Sequence, residues 1–391
     1  MKNETTAPSP IDRMIDFLTT HYAFRYNTVM NCTEYRPVDS PVSSFEPLDL
    51  RTRRRIILEV QREGMEVSQN DIRNYIDSDY VRQYDPVGDY LAECEGVWDG
   101  HDHIGDLART VPTDTPLWRE WFTTWLLAMV SQWQNQSSRL YGNSVAPLLI
   151  SPQGYNKSTF CRRLLPYALK WGYTDSLALS DRRQVMLAMS QQLLINLDEF
   201  NQISPRVQQG FLKNIIQLPS VKVKRPFGTH IEELPRKASF IATSNMTDIL
   251  ADPSGNRRFI GIELTAPIDT SRVPDHRQLF AQALQLLRNG RRSWFDKAET
   301  EQIMLWNRRY EIQEPADQYF SLCFSVAADP LDPAAEWLST AEIFDVIKQK
   351  VGSSLKANTL IAFGRKLANM PGMRRRKCET CTRYLVKRVG Q

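Results

Sequence analysis

The segment Val145-Ala146-Pro147-Leu148-Leu149-Ile150-Ser151-Pro152-Gln153-Gly154-Tyr155-Asn156-Lys157-Ser158-Thr159-Phe160 decides the fold. A short apolar run ends in a glycine-containing turn, and Lys-Ser-Thr opens a helix expected over 160–168. This is the order of a phosphate-binding loop, G-x-x-x-x-G-K-[ST], with Ser151 and Asn156 standing at the two glycine positions. Such a loop aims backbone N–H groups at phosphates, which requires left-handed or otherwise unusual dihedrals. Asparagine is the next most tolerant residue after glycine, so Asn156 is a credible substitute. On this reading Gln153, Gly154, Tyr155, Asn156, Lys157, Ser158 and Thr159 bind ATP. Lys157 sits on the β- and γ-phosphates, and Ser158 holds Mg2+. A surface strand-turn-helix with an ordinary lysine is the alternative.

Two further apolar runs follow. Leu193 to Leu197 ends in Asp198-Glu199, and Ala238 to Thr243 ends in Ser244-Asn245. Short apolar strands alternating with helices indicate an α/β protein with a parallel sheet covered on both faces. Ligands bind such sheets at the carboxyl ends of the strands. There Asp198 is expected to share Mg2+ with Ser158, Glu199 to polarise an attacking water, and Asn245 to orient it. Arg257 and Arg258, on the loop that follows, are candidates for an arginine finger reaching a neighbouring subunit's γ-phosphate.

These segments resemble the virulence-associated protein E family, phage- and mobile-element-borne ATPases similar to superfamily 3 and poxvirus-type primase-helicases. The matching residues are Tyr84-Asp85-Pro86-Val87-Gly88-Asp89-Tyr90-Leu91, Val97-Trp98-Asp99-Gly100, Gln153 to Phe160, Leu197-Asp198-Glu199, Ala242-Thr243-Ser244-Asn245 and Gly255-Asn256-Arg257-Arg258-Phe259. The likeness spans about residues 80–300, and the last motif is its most specific. Asn156 replaces a glycine of the family's usual G-x-G-K-S-T. The resemblance implies a P-loop core like that of AAA+ and superfamily 3 helicases, with ATP and Mg2+ as cofactors. It also implies a ring oligomer, a hexamer by the family's habit, that moves on single-stranded or forked DNA. The upstream primase domain of many relatives is expected to be absent. The function expected is an ATP-dependent DNA motor or helicase of a mobile element or prophage. A non-hydrolysing DNA scaffold for replication or recombination, and an ATPase in phage defence, are the alternatives.

Charge locates the expected nucleic-acid contacts. Val221 to His230 alternates apolar and basic residues around a glycine and reads as a hairpin. In superfamily 3 proteins a hairpin before the third strand enters the ring channel. By that similarity Lys222, Lys224, Arg225 and His230 are candidates to grip single-stranded DNA, against a lysine-protected edge hairpin as the plain alternative. From residue 358 onward nine Lys and Arg face only Glu379, a net +8 against +4 for the whole chain, so the remainder is net acidic. Arg374, Arg375, Arg376 and Lys377 stand in this tail, whose two helices and terminal hairpin read as a winged-helix module. A second basic segment, Leu50 to Gly64 with Arg51, Arg53, Arg54 and Arg55, reads as a helix with a solvated face.

The expected organisation is an accessory region of hairpin plus helices (1–80), a helical domain (81–143), the ATPase core (144–310) and the basic C-terminal module (317–391). Phe24-Arg25-Tyr26-Asn27 and the C-terminal module look like accessory regions of Bacteroides-type members. Within 81–143, the Leu117–Gln134 pattern gives a helix with one wide buried face. With 391 residues, 42% hydrophobic and 24% charged, global disorder is excluded. No run approaches the roughly 18 apolar residues that span a membrane, and the polar N-terminus lacks a signal-peptide core. Six scattered cysteines, the Cys378/Cys381 pair included, fit a reduced cytoplasmic protein. Cys378/Cys381 and His101/His103 read as turns rather than metal sites.

Overall fold

Ser9 and Ser68, each followed three residues later by an aspartate, start two helices by the same device. Ser9 Oγ accepts from the Asp12 N–H at 3.1 Å and the Asp12 carboxylate returns to the Ser9 N–H at 3.0 Å. The helix so capped is α1, Pro10–His21. The structure, a computed structural model, describes residues 8–39, 41, 44–135, 142–224, 230–251, 256–312, 315–351, 359–370, 372–378 and 381–389. After α1 comes the expected hairpin, β1 (Tyr22–Asn27) with β2 (Cys32–Pro37). Its turn is held by Asn27, whose Oδ1 accepts from the Val29 and Met30 N–H groups. β3 (Glu46–Pro47), α2 (Leu50–Arg62), α3 (Gln69–Ile76) and β4 (Gln83–Tyr84) complete the region, with sheet order β3-β2-β1-β4. Met14, Leu18, Ile56, Val60, Ile72 and Ile76 close one apolar core beneath it.

α4 (Pro86–Cys94), α5 (His103–Arg109) and α6 (Trp118–Trp133) follow. The sequence pattern gave α6 one wide buried face. In the structure 13 of its 16 residues are buried, all but Arg119, Glu120 and Thr123. A helix apolar on all sides is one covered on all sides: the sheet lies under it and α5 and α11 (His276–Arg288) over it. Trp125 even donates its indole N–H to the Phe240 carbonyl within the sheet, at 3.2 Å. The helices of 81–143 therefore share their core with the sheet, where Trp125 and Met129 join Leu149, Ile241 and Ile262.

The central sheet is built from β5 (Ala146–Ile150), β6 (Tyr173–Thr174), β7 (Leu194–Leu197), β10 (Ser239–Ser244) and β11 (Phe259–Glu263). Its order is β11-β5-β10-β7-β6, every pair parallel. Every residue of β5, β7 and β10 is buried, as two-sided covering demands. α7 (Lys157–Arg163) and α8 (Arg182–Gln191) connect the first three strands in sequence. α7 is shorter than the pattern indicated; the chain meets Pro166 and turns into a 3-10 segment at Tyr167–Gly172. Short helical pieces, α9 (Pro205–Val207) and α10 (Lys213–Ile215), lead to the hairpin β8 (Ser220–Val223) and β9 (Glu232–Pro235). α12 (Lys297–Asn307) closes the unit.

The C-terminal module has its own core of Phe320, Phe324, Ile343, Ile347, Phe363 and Tyr384. It runs α13 (Pro315–Cys323), β12 (Phe324–Val326), β13 (Ala335–Ser339), α14 (Thr340–Val351), α15 (Thr359–Asn369), β14 (Arg375–Lys377) and β15 (Thr382–Arg388). The two helices and terminal hairpin stand as expected. β12 and β13 were not anticipated. Both pair with β15, which therefore lies inside the sheet rather than at its rim.

Candidate functional site

Parallel register places three strand ends side by side. Ser244 lies opposite Ile150, and Ala242 opposite Leu197. The residues that follow each strand therefore face one another across β10. They line a cleft of about 330 Å3 that contains Gln153, Gly154, Tyr155, Asn156, Lys157, Ser158, Thr159, Asp198, Glu199 and Asn245, together with Thr243 and Ser244. Every residue assigned to the loop, and both acids, thus meet in one place.

The loop adopts the backbone that its composition was read to permit. Gly154 has φ 83° and Asn156 φ 61°. Asn156 is fixed further by donating its side-chain amide to the Ile268 carbonyl at 3.1 Å. Lys157 is buried, and its ammonium is ringed by oxygens: the Ser151 carbonyl at 2.8 Å, Ser151 Oγ at 2.9 Å, the Pro152 carbonyl at 2.9 Å and Asn245 Oδ1 at 3.0 Å. Burial holds its pKa below the usual lysine value, with Asp198 pulling the other way. The serine in the first glycine position is thus part of the lysine's cradle.

Ser158 Oγ donates to Asp198 Oδ1 at 3.3 Å, so the hydroxyl and carboxylate expected to share a cation are adjacent. Thr243 Oγ1 donates to the same carboxylate oxygen. Thr243 stands in the Ala242–Asn245 motif but was given no role of its own. It lies near the end of β10, two positions before Asn245, and that spacing at a strand end is the signal that could have found it. Asn245 contacts the lysine. Glu199 is exposed and left-handed, φ 49°, the one described non-glycine residue with positive φ that is not an asparagine. A glutamate held there costs on the order of 1 kcal/mol. Gln202 donates to its carboxylate.

The two arginines part company. Arg257 is exposed on the 3-10 turn Asn256–Arg258. Arg258 is buried and donates to Gln217 Oε1 at 3.0 Å, so it is not placed to reach a neighbouring subunit. The reason is packing: α12 holds this turn through Asn307, which donates to the Asn256 and Phe259 carbonyls and accepts from the Gly261 N–H. Neither arginine lines the cleft.

In the hairpin, Val221 and Val223 are buried and Lys222 and Lys224 exposed, as the alternation indicated. Lys222 lies opposite Glu233, 3.7 Å away, which offsets part of its charge. His230 is exposed two residues before β9, and Arg225 lies outside the described residues. The base of the hairpin is fixed by two buried cations. Among the described residues Arg236 donates to main-chain carbonyls, those of Ala238, Ile216, Leu218 and Asn143, and burial brings its pKa down to about 9. Lys237 donates to the Trp133 carbonyl at 2.6 Å, at the end of α6.

The tail's charge is less free than its count. Arg388 pairs with Glu336 at 3.0 Å, Lys387 with Asp332 and Arg383 with Glu342 at 3.9 Å, all acids from earlier in the module. Arg374, Arg375, Arg376 and Lys377 remain exposed along β14 and its approach. At the end of this hairpin the Cys378 N–H donates to the Cys381 carbonyl at 2.8 Å. Elsewhere His101 bonds Asp106 and His103 bonds Asp99.

A parallel α/β core with a lysine loop, an acid pair and a polar strand end converging on one cleft is the class that the fold and site define. The chain belongs to the virulence-associated protein E-like domain family, whose model matches residues 91–312, more than half of its length. Residues 313–386 match a second model, a domain of unknown function described from B. Theta (DUF3874), and the join falls where the separate C-terminal core begins. Among solved structures, the apo NrS-1 C-terminal region (305–718) superposes with a TM-score of 0.51 at 12% identity, covering 98% of this chain and 100% of that one. The A form of the apo NrS-1 C-terminal region gives 0.48 at 12% identity, over 97% and 100%. No curated protein matches. No described helix is long and apolar enough to cross a membrane.

Proposed function

We propose that this protein is an ATP-dependent DNA motor of a mobile genetic element or prophage, working as a ring oligomer, a hexamer by family resemblance, on single-stranded or forked DNA. The observation that carries the reading is the meeting of Lys157, Ser158, Asp198 and Asn245, from three strand ends, around one cleft. A lysine ammonium, left-handed backbone at Gly154 and Asn156, and a helix starting at Lys157 together favour a bound triphosphate. Lys157 exchanges the Ser151 and Pro152 oxygens of its cradle for phosphate oxygens. Ser158 and Asp198 supply the hydroxyl and carboxylate that hold Mg2+, and the metal's chemistry is to neutralise phosphate charge. Glu199 accepts a proton from the attacking water, and Asn245 fixes the position of Lys157. Arg257, exposed and outside the cleft, suits action on a neighbour's nucleotide.

The C-terminal module is read as a winged helix, with α14 and α15 as its helix pair and the β14–β15 hairpin as the wing that carries Arg374 to Lys377. Lys222, Lys224 and His230 on the other hairpin serve the channel strand. The test is ATP hydrolysis by the purified chain, with and without single-stranded DNA. Hydrolysis stimulated by DNA, and reduced at least about 100-fold in Lys157→Ala, is expected. Full activity in that variant overturns the reading. DNA binding indifferent to ATP, with no hydrolysis, replaces the motor with a scaffold.

A further inference from the structure

The helix α2, Leu50–Arg62, carries five arginines against one glutamate, yet it belongs to a region, residues 1–80, with ten Lys and Arg against thirteen Asp and Glu. Positive charge is therefore concentrated on one element of an otherwise acidic region. The structure shows which part of it is spoken for. Arg53 is bound through both terminal nitrogens to Asp77, at 2.6 and 2.8 Å. Glu59, the helix's one acid, takes the Tyr22 hydroxyl and sits only 3.7 Å from Arg55. Arg51, Arg54 and Arg62 are exposed and close no ion pair with any described carboxylate.

At about 100° per residue, Arg51, Arg55, Leu58 and Arg62 fall within one stripe about 60° wide, with Arg54 beside it. Ile56, Ile57 and Val60 point the other way, into the core. The stripe runs about 16 Å at 1.5 Å per residue, room for two or three phosphates of an extended strand. Leu58, 56% exposed, lies amid these arginines and adds a small apolar surface to the stripe.

We propose that the outer face of α2 is a second nucleic-acid contact, on which Arg51, Arg54 and Arg62 hold phosphates of single-stranded DNA. It rests on the reading of this protein as one that works on DNA, and adds a site remote in sequence from both hairpins. Charge complementarity selects the occupant: three exposed guanidinium groups, of which only that of Arg51 has a carboxylate (Asp49) acting on it, match a polyanion, and each can take a phosphate through two N–H groups.

The test is anisotropy of a labelled 30-nucleotide oligothymidylate with the full-length chain over a range of salt. Arg51→Ala/Arg54→Ala/Arg62→Ala is expected to bind about 10–100-fold more weakly near 0.1 M salt, with the log–log salt slope reduced by about 2. The triple lysine variant at the same positions is expected to restore most of the binding, and unchanged circular dichroism to show that α2 persists. Wild-type binding matched by the alanine variant, slope included, overturns this inference and leaves the motor reading standing. An absence of DNA binding in the wild type overturns both. Loss in the alanine variant of binding to phosphatidylserine–phosphatidylcholine vesicles, with oligonucleotide binding intact, assigns the face to anionic lipid and overturns it too.

Discussion

At the carboxyl edge of the central sheet, Lys157 is buried with four oxygens within 3.0 Å. On the C-terminal module, Arg374, Arg375, Arg376 and Lys377 stand in solvent, while their neighbours Arg383, Lys387 and Arg388 are matched by acids. One region fixes a single cation to an ångström; the other releases a cluster. A fixed cation contributes through geometry in a low-dielectric cleft, where a small displacement is expensive. A released cluster contributes through its field, which salt screens and to which each member adds a similar share.

That contrast breaks or sharpens under substitution. The largest effect is expected at the cleft. Asp198→Asn keeps its shape and removes its charge, and should lower ATP hydrolysis about 100-fold or more in a steady-state assay. A loss of only a few fold would put Asp198 outside the chemistry. Next comes the support of the Asn256–Arg258 turn. Asn307→Ala removes three buried hydrogen bonds and should cost about 2–3 kcal/mol in urea unfolding. By contrast, alanine at Arg374, Arg375, Arg376 and Lys377 together should leave Tm within about 2 °C. The same quadruple variant should weaken binding to forked DNA about 10-fold and flatten its salt dependence; unchanged slope would show that these cations do not meet phosphate. The smallest effect concerns His276, half-buried beside Phe280 with its Nε2 on the Arg163 carbonyl. Burial lowers its pKa below the usual 6.5. The unfolded chain then takes the proton first, so the stability this group allows is complete above pH 6.5 and falls as pH drops below it. Melting at pH 7.5 and 5.5 should show a decline that His276→Gln makes shallower.

Much of the core was legible because its signals are local. The strand-loop-helix at 145–163 and the alternation at Val221–Lys224 each depend on residues a few positions apart. What escaped depends on partners far along the chain. Thr243 meets Asp198 across 45 positions, and Arg258 turns inward because α12 holds its turn from Asn307. α6 reads as amphipathic until the second layer that covers its polar-looking side is in place. β12 and β13 are short, and only the edges of β15 give them partners. The face of α2 shows the same dependence. Its composition is that of any solvated basic helix, and only the pairing of Arg53 and Glu59 with groups outside the helix shows which arginines close no described ion pair.

Arg236 bears on how this sequence can drift. Its guanidinium is held by carbonyls of Asn143, Ile216, Leu218 and Ala238, groups that every amino acid carries. No exchange of a neighbouring side chain removes one of these acceptors, yet the space is fixed: a Cβ at Gly142 would stand 3.0 Å from the guanidinium, and the Phe240 ring lies 5.1 Å beneath it. Lysine cannot stand in for the arginine, because it offers three donors from one point where four carbonyls wait in different directions. Arginine at 236 with glycine at 142 is the expected signature among relatives, at the spot where the hairpin joins the sheet.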